Sequence, residues 1–323
     1  MPEVSTNPTD PPTRQPTDRP TAQPTARQAG PPHGPHIVVG VGAEAVEAAL
    51  AFAAEEAVRV RCGLHLVHAV HVVPAPEAYA LEADIMAWGR EVLAHAVKQA
   101  EDLVRGAVPV THELVLGAPV PTLVQIGRTA RMVVLEHRHL SRLARVVNRT
   151  VAGGVAAHLR VPVVAVPSGW THPAGSGIVV AGVDVPERSE EVLSAAVSEA
   201  RARSASLRIV HSWALPVHHE GMVMEVDEHR RWTERSKDEV HAALDALGGE
   251  GATTDAEVVV HPGRAIEAIL DASRDAELLV IGRHDPLVPV GSHVGPVARA
   301  VLREATCPVL LASPRAHRPA HHA

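Results

Sequence analysis

Short Val-rich runs alternate along this chain with longer stretches in which apolar residues recur every three or four positions. In the first half the pattern predicts strand 37–41, helix 44–61, strand 64–69, a long helix 78–105 and strand 110–116. Helix 119–130, strand 132–135, helix 150–160 and strand 163–166 follow. The second half predicts strand 178–183, helix 188–203, strand 207–211, helix 226–247 and strand 256–261, then helix 264–274, strand 278–281, helix 295–304 and strand 309–312. Apolar runs of four to six residues, too continuous for a half-exposed strand, mark a parallel sheet covered on both faces.

The order of elements is the same in both halves, and the landmarks align. Gly117 and Gly263, Glu136 and Gly282, and Pro162 and Pro308 are each 146 positions apart. His68 and His211 are offset by 143, Gly42 and Asp184 by 142, and LHLVH answers LRIVH. Internal self-similarity is strong evidence of architecture, and two copies make tandem domains rather than a solenoid. The reading is an α/β protein of two tandem Rossmann-like domains, each a five-stranded doubly wound parallel sheet with right-handed crossovers. The expected boundaries are 36–167 and 178–313, joined by a Gly, Pro and Ser-rich linker, 168–177. Residues 1–35 are rich in Pro and Thr and cannot offset the entropy of ordering, so a disordered tail is expected there. Residues 314–323 form a His-containing tail.

Composition narrows the function. Only 2% of residues are aromatic and the formal net charge is −7, which argues against a nucleic-acid binder. Cys62 and Cys307 occupy non-equivalent places, form no disulfide framework and fit a reducing compartment. With no apolar run of about 18 residues and no leader-like start, the expectation is a cytoplasmic protein without a membrane partner.

Ligands of open parallel sheets sit at the carboxyl ends of the strands, near the switch point. In the second half those ends read Gly182-Val183-Asp184, Val210-His211-Ser212, and the stretch from Ile281 to Val301. Here the chain resembles the universal stress protein family, whose loop runs Gly, two residues, Gly, nine residues, Gly, then Ser or Thr. Gly282, Asp285, Gly295 and Pro296 keep that spacing, with Pro308 thirteen positions beyond Gly295. Glu136, His139, Arg149 and Thr150 keep it in the first half, with Pro162 thirteen beyond Arg149. The resemblance covers about residues 36–313.

The resemblance implies stress-response sensing or signalling, and an ATP site in which the acid ending strand 1 lies near the adenosine. The strand-2 end adds backbone contacts, and the glycine loop with the following helix holds ribose and phosphates, with Mg accompanying ATP. Carried onto this sequence, the cofactor-binding residues are Val183, Asp184, Ser212, Gly282, Asp285, Ser292 and Gly295. Glycines serve because the backbone must approach phosphate closely, and a helix start offers free N–H groups to an anion. Two departures oppose binding: Asp285 brings a carboxylate to the phosphate path, and Pro296 removes a hydroxyl and an N–H. Gly291-Ser292 offers a second small turn. In the first half Gly42 replaces the acid and all three loop glycines are gone, which suits a retained structural partner. The resemblance also implies that the two units pack through their terminal strands as an internal pseudo-dimer, with room for a homodimer beyond it; an exposed edge strand needs such a partner.

Other signals weigh less. Gly40-x-Gly42-x-x-Ala45 mimics a dinucleotide fingerprint, but no acid ends strand 2, and the glycines read as a turn. Arg138, Arg142, Arg145 and Arg149 would share one helical face, basic and solvated or open to an acidic partner. His33, His36, His317, His321 and His322 lack metal-site spacing. No Walker lysine, HExxH or nucleophile elbow occurs, so no catalytic residue is named and ATP hydrolysis has no assignable base. The alternative function is a nucleotide-independent scaffold that binds a protein partner.

Overall fold

The computed structural model describes residues 34–43, 46–71, 78–137, 151–173, 177–213, 226–249, 255–283 and 294–312. The first half comprises β1 (His36–Gly40), α1 (Glu47–Val60), β2 (Gly63–Val70), α2 (Ala78–Val104) and β3 (Val110–Leu116), then α3 (Pro119–Gly127), β4 (Met132–His137), α4 (Val151–His158) and β5 (Val163–Pro167). The second comprises β6 (Ile178–Val183), α5 (Glu190–Arg203), β7 (Ser206–Trp213), α6 (Val226–Ala246) and β8 (Ala256–Pro262), then α7 (Ala265–Ala272), β9 (Leu278–Ile281), α8 (Pro296–Glu304) and β10 (Val309–Leu311).

All ten strands form one sheet in the order β3-β2-β1-β4-β5-β10-β9-β6-β7-β8. Within each half every pairing is parallel, and the order reverses between β1 and β4 and between β6 and β9. At the centre β5 and β10 pair antiparallel, with Val163 opposite Leu311, Val164 opposite Leu310 and Ala165 opposite Val309. An edge strand exposes unpaired N–H and C=O groups, and here the last strand of each half satisfies that of the other. Strand side chains alternate between faces: Ile37, Val39, Leu64 and Leu66 pack with α1 and α2, while Val38, Val133 and Val163 pack with α3 and α4. The second half repeats this, and each apolar layer runs unbroken across the seam.

Local rules set the ends of the elements. Helices α1 and α5 both stop at a left-handed residue, Arg61 (φ 52°) and Ser204 (φ 53°), whose N–H turns back onto the last carbonyls. Pro119 and Pro296 open α3 and α8, where a missing N–H is harmless to the helix. The helix expected from 188 is instead a 3-10 turn, Pro186–Arg188, followed by α5 from Glu190, because Ser189 keeps a non-helical conformation (φ −103°, ψ 23°). Helix α3 stops at Gly127, short of the expected 130; a Cβ there would lie 2.7 Å from Val133 Cγ2, so the chain passes tightly against β4. Gly40 closes β1 rather than opening a turn, and Leu135 of the neighbouring strand β4 and Leu123 of α3 fill the space a side chain would need. At its counterpart Gly182 a Cβ would lie 2.9 Å from Ile269 Cδ1, so a side chain at either strand-1 glycine would displace the end of an apolar neighbour.

Charges also cross the seam. Arg203 of α5, with 1% of its side chain exposed, donates to Glu56 of α1 at 2.8 Å and contacts Glu277 at 3.1 Å and Glu199. Arg59 adds contacts to Glu56 at 2.5 Å and to Glu277 at 3.8 Å. The Arg203 guanidinium also lies 5.7 Å over the Phe52 ring, against which Trp170 packs edge-on at 5.9 Å.

Candidate functional site

The carboxyl ends of β6, β7 and β9 meet at the second switch point. Gly182 pairs with Ile281, and Val183 with His211, so the residues just beyond these strands share one sheet edge. Asp184 follows β6 directly and is exposed. Val183 is buried, and its carbonyl accepts from His211 Nδ1 at 3.1 Å. The Ser212 hydroxyl donates to Gly263 O at 2.7 Å and so braces the turn after β8, where Gly263 adopts φ 114°. That geometry gives the Ser212 side chain a structural task. Asp285 and Ser292 lie outside the described residues, as do Arg138, Arg142, Arg145, Arg149, Thr150 and the histidines of the two tails other than His36.

Gly282 stands beside the start of α5. A Cβ on it would lie 3.2 Å from Val192 Cγ2, so the strand exit and the first helical turn nearly touch. Ser189, at the cap position, turns its hydroxyl back to Val185 O at 2.8 Å and does not cap the helix. Gly295 is the cap residue of α8, and Pro296 follows, so that helix begins with one N–H fewer to offer an anion.

The first copy shows what happens when the strand-4 glycine is absent. Glu136 takes its place, and its Oε2 accepts from the amides of Ala48 at 3.1 Å and Ala49 at 3.3 Å. A carboxylate at the positive end of a helix is favourable both as a cap and through the helix dipole. The first switch point thus carries its own anion, built into the chain. At the equivalent position the second copy has Gly282, which brings no carboxylate to the start of α5.

One feature went unread in the sequence although it is written in both copies. His68 Nδ1 bonds Val41 O at 2.8 Å, as His211 does Val183 O. A carbonyl acceptor requires the proton on Nδ1, so both imidazoles tie the end of strand 2 to the residue just before Gly42 or Asp184. The 143-residue repeat of this histidine was the available signal. Burial pushes the Cys307 thiol up to about 12 and also raises that of Cys62, which marks both as core residues without reactive thiolates. Among the described residues no helix is long and apolar enough to cross a membrane.

Comparison with known proteins agrees with this architecture. The family model described as "Universal stress protein family" matches residues 35–167 and again 176–313. A universal stress protein of Mycobacterium tuberculosis is 30% identical over 292 residues, covering 85% of this chain and 96% of its own length. Another from Mycolicibacterium smegmatis is 28% identical over 291 residues, covering 86% of this chain and 97% of its own. The crystal structure of a universal stress protein from Archaeoglobus fulgidus superposes with a TM-score of 0.60 at 13% identity, covering 86% of this chain and 98% of that one, a likeness of fold. Two matched domains joined through their last strands, each with its own switch point, place this chain in the universal stress protein family as a tandem two-domain member.

Proposed function

We propose that this stress protein binds an adenine nucleotide, ATP with Mg, at the second switch point, and that the first half serves as its structural partner. The observation that carries the reading is the contrast between Glu136 and Gly282: one copy sets its own carboxylate on the amides that start its first helix, and the other has at the equivalent position a glycine, which brings no side chain. In this reading Asp184 meets the adenosine end, the main chain of Val183 and Ser212 lines it, and Gly282 and Gly295 admit the ribose and phosphates, with Asp285 and Ser292 between them in sequence. Ligand occupancy would act by favouring one arrangement of the site and its helices over another, which requires unequal affinity for the two.

The fit is better at the nucleoside end than at the phosphates, since Pro296 shortens the donor set of α8. That same observation favours the second reading, a nucleotide-independent scaffold for a protein partner. Calorimetric titration of nucleotide-free protein with Mg-ATP separates the two. Micromolar binding that disappears in Asp184→Ala, a substitution at an exposed position, supports the nucleotide site. Absence of heat up to millimolar Mg-ATP refutes it and leaves the scaffold.

A further inference from the structure

The residue after Gly282 belongs to the second half but is anchored in the first. Arg283 Nη1 donates to Ala156 O at 2.9 Å and to Leu159 O, and Nη2 donates to Val161 O at 2.6 Å and Leu311 O at 3.2 Å. Ala156 lies in the last turn of α4, and Leu159 and Val161 follow it. The Ala156 carbonyl lies at the negative end of α4, where a guanidinium both completes hydrogen bonds and meets the dipole favourably. Burial lowers the Arg283 pKa to about 10, so the group stays charged at neutral pH. The counterpart of Arg283 in the first copy, 146 positions earlier, is His137; the two-nitrogen fork is present only beside the copy that keeps its glycine.

We propose that Arg283 is a positioning residue through which the first half shapes the nucleotide site of the second; this rests on the nucleotide-binding reading above. The exit of β9 carries Gly282, where even a Cβ would lie 3.2 Å from Val192 Cγ2 of α5, so wherever Arg283 is held sets how closely Gly282 approaches that helix. The holder is α4 of the copy whose own switch point Glu136 has filled. A half with its own crevice filled is then still required, because it supplies the fixed carbonyls against which its partner's site is aligned. Fixing a site in its binding geometry beforehand is a general source of affinity.

The test uses the full chain. Mg-ATP is titrated calorimetrically into the wild type, Arg283→Met and Arg283→Lys, and amide hydrogen exchange over residues 151–162 is followed with and without Mg-ATP. The expected result is slowed exchange at the end of α4 on adding Mg-ATP to the wild type, with that response lost in Arg283→Met. Affinity should fall by roughly 2–30-fold in Arg283→Met, the range seen for residues that act through others. Arg283→Lys keeps the charge without the fork and should fall between the two. If Arg283→Met does not fold, Arg283→Lys decides: affinity and exchange equal to the wild type overturn the proposal. Wild-type affinity in Arg283→Met, or an undiminished exchange response, overturns it while leaving nucleotide binding intact. A wild type that takes up no Mg-ATP refutes both readings together.

Discussion

Replacing Arg203 with methionine tests whether the two halves are held by charge as well as by strand pairing. Glu56 and Glu199 are 143 positions apart and occupy the same place in α1 and α5. The near-symmetry of the halves therefore delivers two carboxylates to one spot, Glu56 buried and Glu199 partly so, and buried Glu277 makes a third. Arg203, whose counterpart in the first copy is Val60, meets all three, while Arg59 reaches only Glu56 and Glu277. With both arginines present the cluster of five carries one net negative charge; without Arg203 it carries two, in a space where Glu56 and Glu277 have 3% and 8% of their side chains exposed. Removing one partner of a buried ion pair costs about 3–5 kcal/mol, and the methionine stem recovers little of the contact with Phe52. Urea denaturation at pH 7.5, followed by circular dichroism and Trp fluorescence, should show that loss.

The pH dependence supplies the sharper check. Burial already raises the Glu199 carboxyl above its ordinary 4.5, and neighbouring Glu56 raises it further against the pull of Arg203. A carboxyl whose folded pKa is raised binds protons more readily in the folded state, so stability increases as pH falls through the raised value towards 4.5. In Arg203→Met the effect grows, and the deficit against wild type should shrink on going from pH 7.5 to pH 5. A deficit below about 1 kcal/mol, in the range of surface ion pairs, or one equal at both pH values, would refute the reasoning.

Two further outcomes follow. His65 is fully buried, its pKa pushed down to about 4 first by burial and then by His36 and His112, while Glu113 lies 3.6 Å from its Nε2. Because the unfolded chain binds that proton more readily, stability should fall as pH drops from about 6.5 to 4, by about 3 kcal/mol in total; denaturation midpoints of His65→Gln should show a flatter profile, and parallel profiles would count against it. Glu136→Ala removes the acceptor of the Ala48 and Ala49 amides and should cost about 1 kcal/mol, read from urea midpoints; an unchanged midpoint would mean that water caps α1 equally well.

The sequence alone determined the two βαβ series, because a fully buried strand must be a continuous apolar run and its covering helices must show a 3.6-residue period. Short-range chemistry also settled most element ends, as Pro119 and Pro296 show. It did not reveal the 3-10 turn before α5, since the conformation of Ser189 follows from the bond its hydroxyl makes to Val185. Glu136 could be recognised as a missing glycine, but its bonds to Ala48 and Ala49 join residues almost ninety positions apart, and only the parallel placement of β1 beside β4 brings them together. Arg203 and Arg283 were silent for the same reason. Each is an ordinary charged residue in its local sequence, and each gains its partners in the other half, Glu56 for Arg203 and the Ala156, Leu159 and Val161 carbonyls for Arg283, only when β5 and β10 pair. Periodicity is a property of neighbours along the chain; the chemistry of the seam and of the switch points depends on which distant neighbours the sheet supplies.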